Sequence, residues 1–183
     1  VFDCDGVVLN SNQVKTDAFR AVALPFGESA ASALVDFHRQ NGGISRYAKF
    51  EHFVDVILPE HESSRPVAKT EALVSELSAR FADQVKTGLV DCEVVAGLPR
   101  LRESTPDACW MIVSGGDQAE LREVFHQRGL DHYFDGDIYG SPKDKYTIVS
   151  ELLASGQIQQ PALFLGDSRL DHEVAKAHGL DFV

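Results

Sequence analysis

The chain has 183 residues, 44% of them hydrophobic and 25% charged, with a net charge of -11. That length holds one good core, or a core with an appendage, and the composition is that of a globular chain, not a disordered one. The negative balance disfavours nucleic acid and anionic lipid as partners, so an anionic ligand needs a local cationic site.

Cys4, Cys92 and Cys109 lie far apart and show neither a paired framework nor Cys-x-x-Cys metal spacing. No apolar run approaches a membrane span and no basic-flanked signal segment is visible, so the expectation is a soluble, cytoplasmic protein. Both ends read as clipped, because Val1-Phe2 is short for a buried strand and Leu180 to Val183 stops where another strand would begin.

In chain order, Val1 to Asp5 reads as the end of a strand, with Gly6 and Val7-Val8-Leu9 leading out of it. Apolar positions then recur at helical spacing over Gln13 to Leu24, Ser29 to Gln40, Ser45 to Ile57 and Pro66 to Lys86. Pro25-Phe26-Gly27, Asn41-Gly42-Gly43 and a polar stretch near Pro59 separate them, which predicts a small helical bundle.

From about Leu89 short β-branched runs alternate with helical ones, the order of parallel α/β units. Strands are predicted over Cys109 to Val113, Asp137 to Tyr139 and Ala162 to Leu165. Helices are predicted over Gln118 to Arg128, Tyr146 to Ala154 and Leu170 to His178. In an open parallel sheet the carboxyl ends of the strands form the ligand crevice. The groups delivered there are Asp3 with Asp5, Ser114 with Gly115-Gly116, the lysines of Gly140 to Lys145, and Asp167 with Asp171.

Asp3 and Asp5 lie two residues apart, so on an extended backbone both carboxylates face one way. One can attack phosphorus while the other moves the proton of the leaving oxygen and then of water. Attack on an anion needs a cation, and Mg²⁺ takes a few carboxylate oxygens while keeping room for a phosphate oxygen. Asp167, from another strand end, is the natural further ligand, with Asp171 bracing it from behind. Ser114-Gly115-Gly116 offers a hydroxyl and free N–H groups to a phosphate oxygen, and a lysine of the 140–145 loop would neutralise remaining charge.

These segments resemble, in order, the four motifs of the haloacid dehalogenase superfamily in its phosphatase branch: Phe2-Asp3-Cys4-Asp5-Gly6-Val7-Val8, Val113-Ser114-Gly115, Gly140-Ser141-Pro142 with its lysines, and Leu165-Gly166-Asp167-Ser168 through Asp171. The resemblance implies a Rossmann-like parallel α/β core over 1–10 and 88–183, with an inserted α-helical cap over 11–87. It implies an aspartyl-phosphate on Asp3, Asp5 as general acid/base, and Mg²⁺ held by Asp3, the Asp5 carbonyl and Asp167. Ser114 and a lysine would hold the phosphate. Pro142 precedes the lysines here, so Lys145, in the first turn of the next helix, is preferred and Lys143 is kept as the alternative. Gly43-Ile44-Ser45-Arg46 resembles the cap loop with which β-phosphoglucomutase-like members grip a substrate, which makes Arg46 the specificity candidate and Lys49 a weaker one.

Bland readings stand beside these. Ser114 would serve equally as a helix cap, Arg46 as a surface partner of Glu51 or another acid, and one of the two lysines as a solvated charge. The histidines show no metal-ligand pairing and read as surface or capping residues, and Cys4 should pack in the core. The expected function is Mg²⁺-dependent hydrolysis of a small phosphomonoester, a sugar phosphate among the candidates, with oligomeric state open. A phosphomutase is the alternative, although Lys15 stands near the place where the resembling mutases carry a histidine. A dehalogenase fits less well, and a non-catalytic binding module has intact Asp3, Asp5 and Asp167 against it.

Overall fold

The structure is a computed structural model and describes residues 1–61 and 71–183. The predicted helix over Pro66 to Lys86 therefore begins outside the described residues. From Glu71 onward it is helical and continues to Asp91, past the expected end of the insertion.

The helical insertion comprises α1 (Asn12–Ala23), α2 (Glu28–Gln40), α3 (Arg46–His52), a π-helical turn at Phe53–Ile57, α4 (Leu58–His61) and α5 (Glu71–Asp91). Local chemistry sets the starts of these helices. The Ser45 side chain accepts from Ala48 N–H at 3.2 Å to cap α3, and α2 carries Glu28 in its first turn and Arg39 in its last, as the helix dipole favours. On α5 the buried residues Leu77, Phe81, Val85 and Leu89 recur every four positions and so form one apolar stripe. That stripe packs on α1, α1 packs on α2, and the rings of Phe19 and Phe81 meet at 4.3 Å.

The remainder alternates helix and strand: α6 (Leu98–Ser104), β1 (Ile112–Asp117), α7 (Gln118–Gln127), β2 (Ile138–Ser141), α8 (Lys145–Ala154), β3 (Leu163–Phe164), α9 (Arg169–Ala177) and β4 (Asp181–Phe182). Helix α6, opened by Gly97 and a proline in its first turn, is not among the predicted elements. β1 pairs parallel with β2, and β3 with β4. Phe2 joins the two pairs. Its N–H reaches Met111 O at 2.9 Å, its carbonyl accepts from Val113 N–H at 2.9 Å, and on the other side Asp3 N–H reaches Leu165 O at 2.8 Å. The strand order is thus β2, β1, the amino-terminal segment, β3, β4, with Asp3 at the centre of the sheet.

The alternation of β1 decides what covers each face. Ile112 belongs to the core shared with α7 and the helical insertion, while Met111 and Val113 belong to the core under α8 and α9. Cys4 is wholly buried, as the sequence pattern requires. Among the described residues no helix is long and apolar enough to cross a membrane.

Candidate active site

The chain leaves the central strand at Asp3 and folds back at once, with Val8 and Leu9 N–H both bonding Cys4 O at 2.9 Å. This tight return presents Asp3 and Asp5 at the sheet edge while Gly6 adopts a φ of +78°. A β-carbon on Gly6 would stand 2.0 Å from Asp167 Oδ2, so glycine is what lets the Asp167 carboxylate approach the loop.

Asp3 is buried. Lys145 Nζ lies 2.8 Å from its Oδ1 as an ion pair, yet that oxygen accepts no directed hydrogen bond. The same ammonium sits 2.5 Å from Asp171 Oδ1. Burial pushes Asp3 up to about 6, against the pull of Lys145 and with Asp171 and Asp5 adding to the rise. Burial alone would lower Lys145, but Asp3 and Asp171 hold it above the ordinary lysine value. Asp144 accepts from Thr147 N–H at 2.9 Å and caps α8, which fixes Lys145 as the first helical residue and aims it inward. Lys143 lies outside the cluster, on the surface, 2.5 Å from Glu151.

Asp171 is held in turn by α9. Ser168 Oγ accepts from Asp171 N–H at 3.2 Å, while Asp171 Oδ2 accepts from Ser168 N–H at 3.1 Å and from its hydroxyl at 2.7 Å. This reciprocal capping is encoded locally by Ser-x-x-Asp. Both Asp171 oxygens are therefore committed, whereas exposed Asp167 meets, among the described residues, only Asn12 Nδ2, at 2.9 Å. Carboxylate oxygens of Asp3, Asp167 and Asp171 all lie within 4.8 Å of one another.

Asp5 accepts from Ser11 Oγ at 2.6 Å and is ion-paired with Lys15 of α1. Burial works against its charge, but Lys15 and Ser11 outweigh that and hold it below the usual carboxylate range. Ser114 follows Val113, the partner of Phe2, and so stands in the strand beside Asp3. It is buried, and its Oγ accepts from Gly116 N–H at 3.1 Å.

Gly115 and Gly116 line a cavity of about 720 Å³ that runs from Asp3 and Asp5 up into the helical insertion. Arg46 is in its wall and pairs there with two other wall residues, 2.8 Å from Glu120 and 3.7 Å from Asp117, the acids that take the place for which Glu51 was one candidate. Lys49 is buried in the same wall and contacts His38 Nδ1 at 2.9 Å. His38 is thus a cavity residue, unlike the surface or capping role expected of the histidines. Burial, then Lys49 and Lys15, lowers it to about 3, so it meets Lys49 as a neutral acceptor.

Sequence reasoning missed the Lys15 contact with Asp5, the Asn12 contact with Asp167 and the Lys49–His38 pair. A signal for the first two was present, since a helix opening at residue 12, so soon after the strand end, must aim its first turn back at Asp5.

A family model described as haloacid dehalogenase-like hydrolase matches residues 1–179. Among curated proteins nothing matches significantly. Among solved structures, a predicted phosphoglycolate phosphatase from Haemophilus somnus is 16% identical with a TM-score of 0.74, covering 99% of this chain and 81% of that one. A predicted phosphatase from Clostridium acetobutylicum is 18% identical, TM-score 0.73, with coverage of 99% and 81%. A haloacid dehalogenase-like family protein from Streptococcus pneumoniae is 18% identical, TM-score 0.64, with coverage of 99% and 80%. At these identities the likeness is one of fold.

Proposed function

The chain belongs to the haloacid dehalogenase-like hydrolases, and from that premise we propose that it is a Mg²⁺-dependent phosphatase that hydrolyses a small phosphomonoester through a phosphorylated Asp3. The observation that carries this reading is the convergence of Asp3, Asp167 and Asp171 oxygens within 4.8 Å, with Lys145 bridging Asp3 and Asp171. Such a cluster is arranged for a phosphoryl group and a cation together.

The donor set fits a small hard cation. Asp3 and Asp167 supply carboxylate oxygens, the Asp5 carbonyl is the further donor that the family resemblance implies, and the missing β-carbon of Gly6 keeps the Asp167 side unobstructed. Mg²⁺ there would offset the repulsion between Asp3 and the phosphate and draw charge from the phosphoryl oxygens.

The chain's own groups divide the remaining work. An Asp3 oxygen attacks phosphorus, the P–O bond to the leaving group breaks, and Asp5 in its acid form protonates the departing oxygen. Water then attacks the phosphorylated Asp3, giving its proton to Asp5 and releasing phosphate. Lys15 beside Asp5 favours the ionised form that this second half requires. Lys145 and the Ser114–Gly116 turn meet the charge of the phosphoryl oxygens, and Asp171 keeps Lys145 in place.

The test is phosphate release from p-nitrophenyl phosphate and a panel of phosphorylated metabolites. Activity that requires Mg²⁺, is abolished by chelation and is lost in Asp3→Asn is the expected result. A purified, folded protein inactive across the panel would overturn the proposal.

A further inference from the structure

The cavity treats its cations unequally. Lys15 is paired with Asp5, Arg46 with Glu120 and Asp117, and Arg169 with Glu173 at 2.7 Å. Lys49 is as buried as any of them, at 4% exposure, but among the described residues it meets no carboxylate. Its contacts are the neutral His38 ring at 2.9 Å and the face of Phe19, with Nζ 5.3 Å from the ring centroid. Exposed Arg39 is a further cavity cation without an ion pair among the described residues.

A buried ammonium lacking a counter-ion costs the fold free energy, and that cost is recovered when an anion enters. The site is built for such an entry. His38 Nδ1 takes one of the three ammonium hydrogens, Phe19 stacks on His38 at 4.6 Å, and the helix carrying Lys49 is anchored by the Ser45 cap. Lys49 is also near enough to the catalytic end for the charges of Lys15, Asp5, Lys145 and Asp3 to act on it.

We propose that Lys49 is the specificity-determining residue of this cavity, the anchor for a second anionic group, carboxylate or phosphate, on the substrate whose phosphoryl group sits at Asp3. This rests on the phosphatase reading and narrows its substrate class to short doubly anionic phosphoesters. It moves the specificity role from Arg46, whose charge is already matched by Glu120 and Asp117, to its neighbour one turn on.

The experiment compares wild type, Lys49→Met and Lys49→Arg on matched pairs: 2-phosphoglycolate against 2-hydroxyethyl phosphate for a carboxylate, and a sugar bisphosphate against its monophosphate for a phosphate. Loss of one charge-assisted contact should lower kcat/KM for the doubly anionic member by roughly 10- to 100-fold while its partner changes less than about threefold. Lys49→Arg should restore most of the loss, and the pair that responds identifies the group. Equal effects on both members of every pair, or no effect on any, overturn the proposal. Calorimetric binding of the same compounds in an Asp3→Asn background, which does not turn over, reads the subsite without catalysis. Lys49-dependent binding there with no hydrolysis by wild type would uphold the subsite and overturn the phosphatase reading. Hydrolysis without Lys49-dependent selectivity would do the reverse.

Discussion

The carbonyl oxygen of Gly43 stands 2.1 Å from where a β-carbon on Gly115 would be, so the insertion's loop and the end of β1 touch backbone to backbone above the sheet edge. Gly43 itself has a φ of +82° and lies against Ser168 and Leu170. The contact forms part of the wall of the cavity that Asp3 and Asp5 also line, with Tyr47 OH donating to Asp117 at 2.8 Å beside it.

Gly115→Ala should therefore separate the two surfaces, because neither backbone can yield as a flexible side chain would. Misplacement of about 1 Å at a reacting centre costs roughly 100-fold in rate, and overpacking costs about 1–3 kcal/mol of stability. The expected outcome is a large fall in kcat/KM in a protein that still unfolds cooperatively, read by steady-state kinetics and urea denaturation together. Unaltered kinetics would mean that this contact has no part in turnover.

The two lysines of the 140–145 loop should behave as opposites. Lys145 bridges two buried carboxylates, so removing Asp171 leaves it with Asp3 alone and also breaks the cap of α9. Asp171→Ala is expected to lose about 1–3 kcal/mol, from the broken cap of α9 and one lost charged contact, since Lys145 keeps Asp3. Lys145→Met should cost activity by roughly 100-fold or more, from lost charge at the phosphoryl oxygens. Lys143 pairs with Glu151 at the surface, so Lys143→Met should leave stability within about 0.5 kcal/mol of wild type. Matching activity profiles for the two lysine variants would contradict the assignment.

The features legible in the sequence are those whose physics is local. Asp3, Asp5 and Asp167 were placed by strand ends, Lys145 by a first helical turn, and the α5 stripe by its four-residue spacing. Contacts made across elements were not legible. Nothing in the residues around Arg46 announces Glu120, 74 positions away, and nothing near Lys49 announces that its helix buries it against His38. Helix α6 escaped because seven residues with a proline give too few turns for a period. The pairing of the amino-terminal segment on both sides through Phe2 is likewise a fact of topology.

Burying Lys49 costs the fold stability in a way that depends on pH. Burial and the nearby Lys15 charge lower it to about 7, whereas in the unfolded chain a lysine titrates near ~10.4. Between those values the unfolded state holds more protons, so this site makes stability rise with pH from about 7 towards about 10 and leaves it level below 7. Other groups move as well. Lys15 and Lys145 are raised and lose their contribution only above the ordinary lysine value. Comparing wild type with Lys49→Met cancels these. The variant should be the more stable protein at pH 7, by an amount on the order of 1–3 kcal/mol, and the gap should shrink towards pH 10. A doubly anionic ligand should close the gap at pH 7 by stabilising wild type alone. A variant less stable at every pH, by a constant amount, would make Lys49 an ordinary packing residue whose charge costs the fold nothing.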